Sequence, residues 1–154
     1  MRIKKNIIII FLVMTMLNAC GYTPIYYKEN IDFKIKNIEM EGDKLINNRI
    51  YKNLKNIQSQ QNNQKIIEIN LYSIKEKKIT TKNSKGDAKS FNLRINTKLT
   101  IKDNNSNIMI KNFGKSFNYN NIDRKFDLKK NEKKIQENLA EEISEEIILF
   151  LYSL

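Results

Sequence analysis

The sequence predicts an α+β fold, a two-layer sandwich in which two helices pack on one face of a mainly antiparallel four-stranded sheet. Four segments alternate apolar and polar residues, and two others repeat apolar residues every three or four positions. Their order along the chain is strand, helix, three strands, helix. Because each such strand has one apolar face and each such helix one apolar stripe, these surfaces are expected to cover each other. A chain of 154 residues allows one domain of this kind.

The N-terminus has the pattern of a signal peptide over residues 1–19. Basic residues at positions 2, 4 and 5 precede an apolar run over residues 7–17, and the small residue Ala19 follows shortly after. As a helix this run would cover about 16 Å, roughly half of a ~30 Å hydrocarbon core. A transmembrane anchor is therefore the weaker interpretation.

Cys20 is the only cysteine, so the chain forms no intrachain disulfide. The sequence Leu17-Asn18-Ala19-Cys20 resembles the lipobox of bacterial lipoproteins, in which this cysteine carries acyl chains. At about 0.8 kcal/mol per buried CH₂, such chains would hold the protein in a membrane. Gly21 follows the cysteine. By resemblance to lipoprotein sorting rules, the absence of Asp at this position favours export to the outer membrane. The alternative is an ordinary signal peptide and a buried cysteine.

Residues 20–30 are predicted to form a lipidated, extended tether, and residues 31–154 a single domain. The tether contains the sole proline, Pro24, which favours an extended backbone before it. Residues 31–36 alternate apolar and polar side chains, as a strand does. Asp43 can then cap a helix whose apolar residues recur every three or four positions. These residues are Ile46, Ile50, Leu54 and Ile57. The polar run 59–64 is predicted to be a loop.

Three strands follow in series. Residues 67–72 alternate, residues 91–102 form the clearest alternation in the chain, and residues 103–107 are rich in turn formers. Residues 108–119 also read as a strand, but the phase of their apolar pattern changes near Gly114. A β-bulge at this glycine would produce such a change.

The C-terminal segment is the strongest predicted helix. Its apolar residues form one stripe, and Asp127 is available as the N-cap. The stripe consists of Leu128, Ile135, Leu139, Ile143, Ile147, Phe150 and Leu154. A stripe of this length is expected to cover the sheet.

The composition argues against an enzyme. With no histidine in the chain, His-based catalytic triads, His zinc ligands and imidazole pH switches are excluded. The tightest carboxylate cluster, Glu39, Glu41 and Asp43, lacks signs of a cleft, and Ser84-Lys85-Gly86 lacks the glycine spacing of a phosphate loop and reads as a hairpin tip. Five glutamates of the last helix read as its solvated face: Glu137, Glu141, Glu142, Glu145 and Glu146. We expect no catalytic residue, metal or cofactor.

The net charge of +11 is partly compositional, because Lys, Asn and Ile are all favoured by AT-rich codons. One basic run, with neighbouring cations on the next strand, still stands out: Lys75, Lys77, Lys78, Lys82, Lys85, Lys89, Arg94 and Lys98. It is either a solvated hairpin or a contact for lipid phosphates or an acidic barrel wall. Nucleic acid is not expected, because Phe91 falls on the apolar face instead of stacking bases.

Residues 20–26, Cys-Gly-Tyr-Thr-Pro-Ile-Tyr, resemble the opening of the lipopolysaccharide-assembly lipoprotein LptE family, particularly its alphaproteobacterial branch. The family is similar in element order too. The resemblance implies a non-enzymatic lipoprotein, anchored through its acyl chains to the periplasmic side of the outer membrane. It also implies the β-barrel translocon LptD and lipopolysaccharide as partners. A second interpretation is an auxiliary lipoprotein of an ABC transporter with a similar fold.

Overall fold

The computed structural model describes residues 33–56 and 65–154. The predicted signal peptide, the predicted tether with Cys20, Ile31, Ile57 and the predicted loop 59–64 lie outside the described residues. The elements are β1 (Phe33–Gly42), α1 (Lys44–Lys55), β2 (Lys65–Lys82), β3 (Ala88–Asp103), β4 (Ile108–Asn120) and α2 (Lys125–Leu151). The predicted element order, strand, helix, three strands, helix, is thereby confirmed.

The four strands form one sheet in the order β1-β2-β3-β4. β2, β3 and β4 are antiparallel neighbours, while β1 pairs with β2 in parallel. Both helices pack on the same side of this sheet and on each other. The predicted α+β sandwich with a mainly antiparallel sheet is therefore confirmed.

The core lies between the helices and the sheet. Alternate residues of β2 and β3 face the helices, and Ile69, Leu71, Ile95 and Leu99 are at most 2% exposed. From the helices, a matching stripe is buried that includes Ile46, Ile50, Leu54, Leu139, Ile143 and Ile147. The strand and helix periodicities read from the sequence thus meet in one apolar layer.

Asp43 caps α1, as predicted. Its Oδ1 accepts hydrogen bonds from the backbone N–H groups of Leu45 and Ile46, at 3.0 and 3.2 Å. The preceding Gly42 has φ of 87°, a conformation that L side chains rarely adopt, and it turns the chain out of the sheet. Strand β1 therefore ends where helix α1 begins.

The predicted ends of α2 are wrong by a few residues. The helix starts at Lys125 with Arg124 at the N-cap position, and Asp127 lies in its first turn, 2.7 Å from Arg124. A carboxylate suits the positive helix end in the first turn as well as at the cap, so the sequence pattern is similar for both. At the other end Leu151 closes the buried stripe, while Leu154 lies beyond the helix and is exposed. Neither described helix has an apolar stretch long enough to cross a membrane.

The predicted bulge at Gly114 is also wrong. Gly114 pairs directly with Asn96, and the register between β3 and β4 has no shift. The apolar phase changes because the apolar residues change face. Phe113 is buried beneath α2, whereas Ile108 and Ile110 lie on the opposite, exposed side of this edge strand. The irregular pairings occur instead near residue 36 of β1 and near residues 79–82 of β2.

Candidate functional site

The outer face of the sheet, the side away from the helices, carries a row of cations. Arg94, Lys98 and Lys102 of β3 are exposed and follow each other every four residues, about 13 Å apart at ~3.3 Å per residue. Lys78 of β2 belongs to the same face. Its cross-strand partner Asn92 lies two residues before Arg94 in β3 and therefore points to the same side of the sheet. We call Lys78, Arg94, Lys98 and Lys102 the cationic row.

Carboxylates accompany the two ends of the cationic row. Glu76 is the cross-strand partner of Arg94, and its Oε2 lies 3.3 Å from the Nζ of Lys78. At the other end, Glu68 accepts a 2.8 Å hydrogen bond from Lys36 Nζ. This bond and the charge of Lys36 lower the pKa of Glu68. Glu76 therefore offsets part of the positive charge at the Arg94 end of the row, whereas Glu68 is engaged by Lys36.

The middle of the row lies beside a shallow depression of about 420 Å³. Its lining includes Tyr72, Asn96, Lys98 and Asn112. Gly114 keeps it open, because a Cβ at this position would lie 2.9 Å from Asn96 Oδ1. An aromatic ring offers an apolar face, and amides both donate and accept hydrogen bonds. A lysine beside these groups suits a ligand that combines hydroxyls with negative charge.

The hairpin between β2 and β3 ends in a structured tip. Asn83 Oδ1 accepts hydrogen bonds from the backbone N–H groups of Lys85 and Asp87, both at 2.9 Å. Gly86 completes the turn with φ of 88°, so Ser84-Lys85-Gly86 is a hairpin tip, as predicted. Three tip lysines have no carboxylate within 4.0 Å among the residues described: Lys82, Lys85 and Lys89.

Two other lysines of the basic run lie on the helix side of the sheet. Lys75 Nζ donates to Gln136 Oε1 at 2.8 Å and lies 3.5 Å from Asp43 Oδ2. Lys77 forms an ion pair with Glu132 of α2. Both side chains thereby connect β2 to the helical layer.

The environment of Glu132 is set by these contacts. Burial opposes its charge, but hydrogen bonds from Lys77 and Tyr119 outweigh burial and lower the pKa of Glu132. Burial of Tyr119 and its hydrogen bond to Glu132 raise the pKa of this tyrosine. Lys77 Nζ also lies 3.9 Å from the centre of the Phe91 ring, a cation–π geometry. This cluster stabilises the fold and leaves Lys77 little freedom to bind a ligand.

The eight cations singled out in the sequence therefore fall into three places. Lys78, Arg94 and Lys98 lie on the outer face, the three tip lysines at the hairpin end, and Lys75 and Lys77 under the helices. The sequence could have predicted the inward position of Lys75 and Lys77. Both lie an even number of residues after the buried Leu71, and alternate residues of a strand share one face. The same parity groups Lys102 with Arg94 and Lys98, although Lys102 was not among the eight.

Acidic residues singled out in the sequence are also distributed over the surface. Glu39 and Glu41 share the outer face, where Glu41 accepts a 3.1 Å hydrogen bond from Asn70. On α2, Glu141 pairs with Arg49 at 2.6 Å and Glu146 with Lys115 at 2.5 Å. Over residues 33–56 and 65–154, no three His, Cys, Asp or Glu residues are arranged to hold a metal ion.

Comparison with solved structures reveals similar bacterial lipoproteins. Rare lipoprotein B from Shewanella oneidensis superposes with a TM-score of 0.52 and 10% identity, over 72% of this chain and 92% of that one. A minor lipoprotein from Acinetobacter baumannii gives 0.54 and 14% identity, over 77% and 91%. Lipoprotein B from Nitrosomonas europaea gives 0.54 and 12% identity, over 82% and 88%.

These identities are low, so the likeness extends to the fold alone. No protein-family model matches the sequence. No curated protein matches it either. The chain thus has the fold of solved bacterial lipoproteins, and its alignment with each of them spans nearly the whole of their length.

Proposed function

We propose that this chain is an outer-membrane lipoprotein of the lipopolysaccharide assembly machinery, anchored through Cys20 on the periplasmic side. It would lie within an LptD-type β-barrel translocon and assist the passage of lipopolysaccharide to the cell surface. One conjunction carries the proposal. The LptE-like opening at residues 20–26 precedes a domain with the fold of solved lipoproteins.

The cationic row is the proposed contact for lipopolysaccharide phosphates. A lysine 4 Å from a phosphate gains about 1 kcal/mol per unit charge in water, so several cations are needed for useful affinity. Lys78, Arg94, Lys98 and Lys102 supply them along one face, and β3 is held rigid by a strand on either side. The depression beside Lys98 places Tyr72 and amide groups where the sugars next to a phosphate would lie.

This role needs no reacting group in the chain. A protein that supports a barrel and contacts its cargo must present a defined, polar surface. The outer face meets this requirement, because its side chains alternate with core residues whose positions are fixed by packing. The protein is accordingly proposed to be a non-enzymatic component without a cofactor.

The proposal is tested by isolating the full chain with a C-terminal tag from envelopes extracted in mild detergent. Mass spectrometry should find an outer-membrane β-barrel protein in comparable amount, together with lipopolysaccharide. The Cys20→Ser chain serves as the control for capture that does not require the anchor. Recovery of an ABC-transporter ATPase in place of a barrel would refute the proposal and favour the auxiliary-lipoprotein interpretation.

A further inference from the structure

Strand β2 has an edge that β1 does not cover. β1 pairs with β2 only as far as Gly42, opposite Ser73, whereas β2 continues to Lys82. Over residues 74–82, β3 lies on one side of β2. In the described part of the chain, no strand lies on the other side. We call this stretch the open edge.

Gly42 and Asp43 determine where β1 ends and thereby leave this edge of β2 open. The backbone N–H of Asp43 donates to Ser73 O at 2.8 Å, and the chain then leaves the sheet to enter α1. Gly42 makes this exit possible, since a Cβ there would lie 2.1 Å from Ser73 O. A strand cannot continue past this point and also form the Asp43 cap.

Three residues present their backbone groups along the open edge. Because Ser73 O points towards β1, the alternation of a strand directs the N–H and C=O groups of Lys75, Lys77 and Ile79 to the same side. These groups extend over about 13 Å at ~3.3 Å per residue. The side chain of Ile79 is 52% exposed beside them.

Charge indicates what can bind at this edge. The side chain of Lys78 is 72% exposed although it lies 3.3 Å from Glu76, and the three tip lysines, which have no such neighbour among the described residues, follow at the end of the hairpin. A second copy of the chain would bring a second excess of lysine charge to the same edge, which opposes strand pairing. An acidic segment would instead meet these charges favourably.

We propose that the open edge binds an extended acidic segment of a partner protein, which pairs with β2 in line with β1. The segment would place an apolar side chain beside Ile79 and carboxylates towards the tip lysines. This inference rests on the edge alone and is independent of the proposed role in lipopolysaccharide assembly.

Hydrogen exchange of the full chain in detergent tests the proposal. In the free protein, the amides of Lys77 and Ile79 should exchange faster than those of Glu76 and Lys78, which face β3. A short synthetic peptide that alternates valine and glutamate should protect the amides of Lys77 and Ile79. The same peptide with alternate backbone nitrogens methylated should not, and a peptide with lysine in place of glutamate should bind more weakly.

Ile79→Pro removes one outward N–H without breaking the bonds to β3, and Ile79→Thr is its matched control. The proline should weaken peptide binding at least about tenfold, because it removes a donor and crowds the added strand. The threonine variant should change binding by less. Circular dichroism checks that both variants fold.

A second pair of substitutions does not depend on proline. Lys78→Glu with Lys82→Glu should weaken binding of the glutamate peptide and strengthen binding of the lysine peptide. The proposal is overturned if the glutamate peptide does not protect Lys77 and Ile79. Slow exchange of these amides in the free chain would overturn it too, because another segment or a second copy would then occupy the edge.

Discussion

The hydroxyl of Tyr119 in β4 donates a 2.8 Å hydrogen bond to Glu132 Oε1 in α2. Lys77 of β2 forms an ion pair with the same carboxylate. One glutamate thus connects two strands that are not neighbours in the sheet to the first half of the long helix. The contact holds α2 over the part of the sheet nearest the β2–β3 hairpin, beyond the point where β1 stops pairing with β2.

Tyr119→Phe should therefore destabilise the domain. It removes a hydrogen bond to a charged, half-buried group, which is worth about 1.5–3 kcal/mol. Tyr72→Phe is the matched control, because Tyr72 lies on the outer face and is 43% exposed. We expect the control to change the free energy of unfolding by less than ~0.5 kcal/mol. Urea unfolding at neutral pH measures both, and equal losses would contradict the role of the contact.

Stability should fall in acid partly through Glu132. Its pKa is lower in the folded protein than its ordinary value of 4.5, so the folded state binds the proton less readily than the unfolded chain. This contribution is fully present above pH 4.5 and is lost as the pH falls through the folded pKa. The urea midpoint of Glu132→Gln should be lower at neutral pH and depend less on pH below 4.5. An unchanged acid profile in this variant would refute the assignment.

The helix stripe should contribute far more to stability than the glutamate face. Ile143 is fully buried, so Ile143→Ala should cost about 2–5 kcal/mol through lost burial and the cavity left behind. Glu145 is exposed, and Glu145→Ala should cost less than ~0.5 kcal/mol. Thermal or urea unfolding distinguishes the two, and similar losses would mean that α2 presents a different face to the sheet.

Local patterns were sufficient to predict most of the fold. The alternation of β3, the Asp43 cap and the α2 stripe each depend on residues that are close in sequence. The last turn of α2 was harder, because Phe150 and Leu151 are both apolar and only their distant partners separate them. Phe150 packs against Phe113 of β4, while Leu151 enters the core.

The candidate site was less predictable than the fold. Parity places Lys75 and Lys77 on the inner face, but only the length and position of α2 determine whether that face is covered there. Glu132 and Gln136, which contact these lysines, are more than fifty residues away in sequence. The apolar residues before Gly114 led to the wrong prediction of a bulge. An edge strand can expose apolar side chains on its outer face, and the local sequence does not distinguish this from a change of register.

The cationic row should contribute to binding of anionic lipid. Reversing Lys78, Arg94 and Lys98 to glutamate should weaken binding of the full chain to lipopolysaccharide in detergent, and binding of the wild type should fall as salt rises. Screening over a Debye length of about 8 Å at physiological ionic strength gives this dependence. Lipid binding measured across a salt series tests the prediction.

The matched control reverses Lys129, Lys130 and Lys134, which are exposed on the early turns of α2. It changes the net charge by the same amount on the other layer of the domain, and substitutions of exposed side chains such as these usually change stability little. The control should retain most of the binding. If both triple variants lose binding equally, the attraction is to the overall charge and the row has no special role.

Cys20 is predicted to be the acylated N-terminus of the mature protein. It lies outside the described residues, and the prediction rests on the lipobox-like sequence. Cys20→Ser should give a chain that either keeps its signal peptide or is found in the soluble periplasmic fraction instead of the membrane fraction. Intact mass measurement of the mature wild type should show added acyl chains. A free amine at residue 20 without them would refute the prediction.

The order of the strands in the sheet also suggests an order of folding. β2, β3 and β4 are consecutive in sequence and joined by tight turns, whereas β1 reaches β2 only across a helical crossover. Short loops close at lower entropic cost, so the three-stranded meander should form before β1 docks. Until then the whole edge of β2 is open, and its five lysines disfavour pairing between chains. Ile95→Val should then slow folding, while Ile35→Val should mainly speed unfolding.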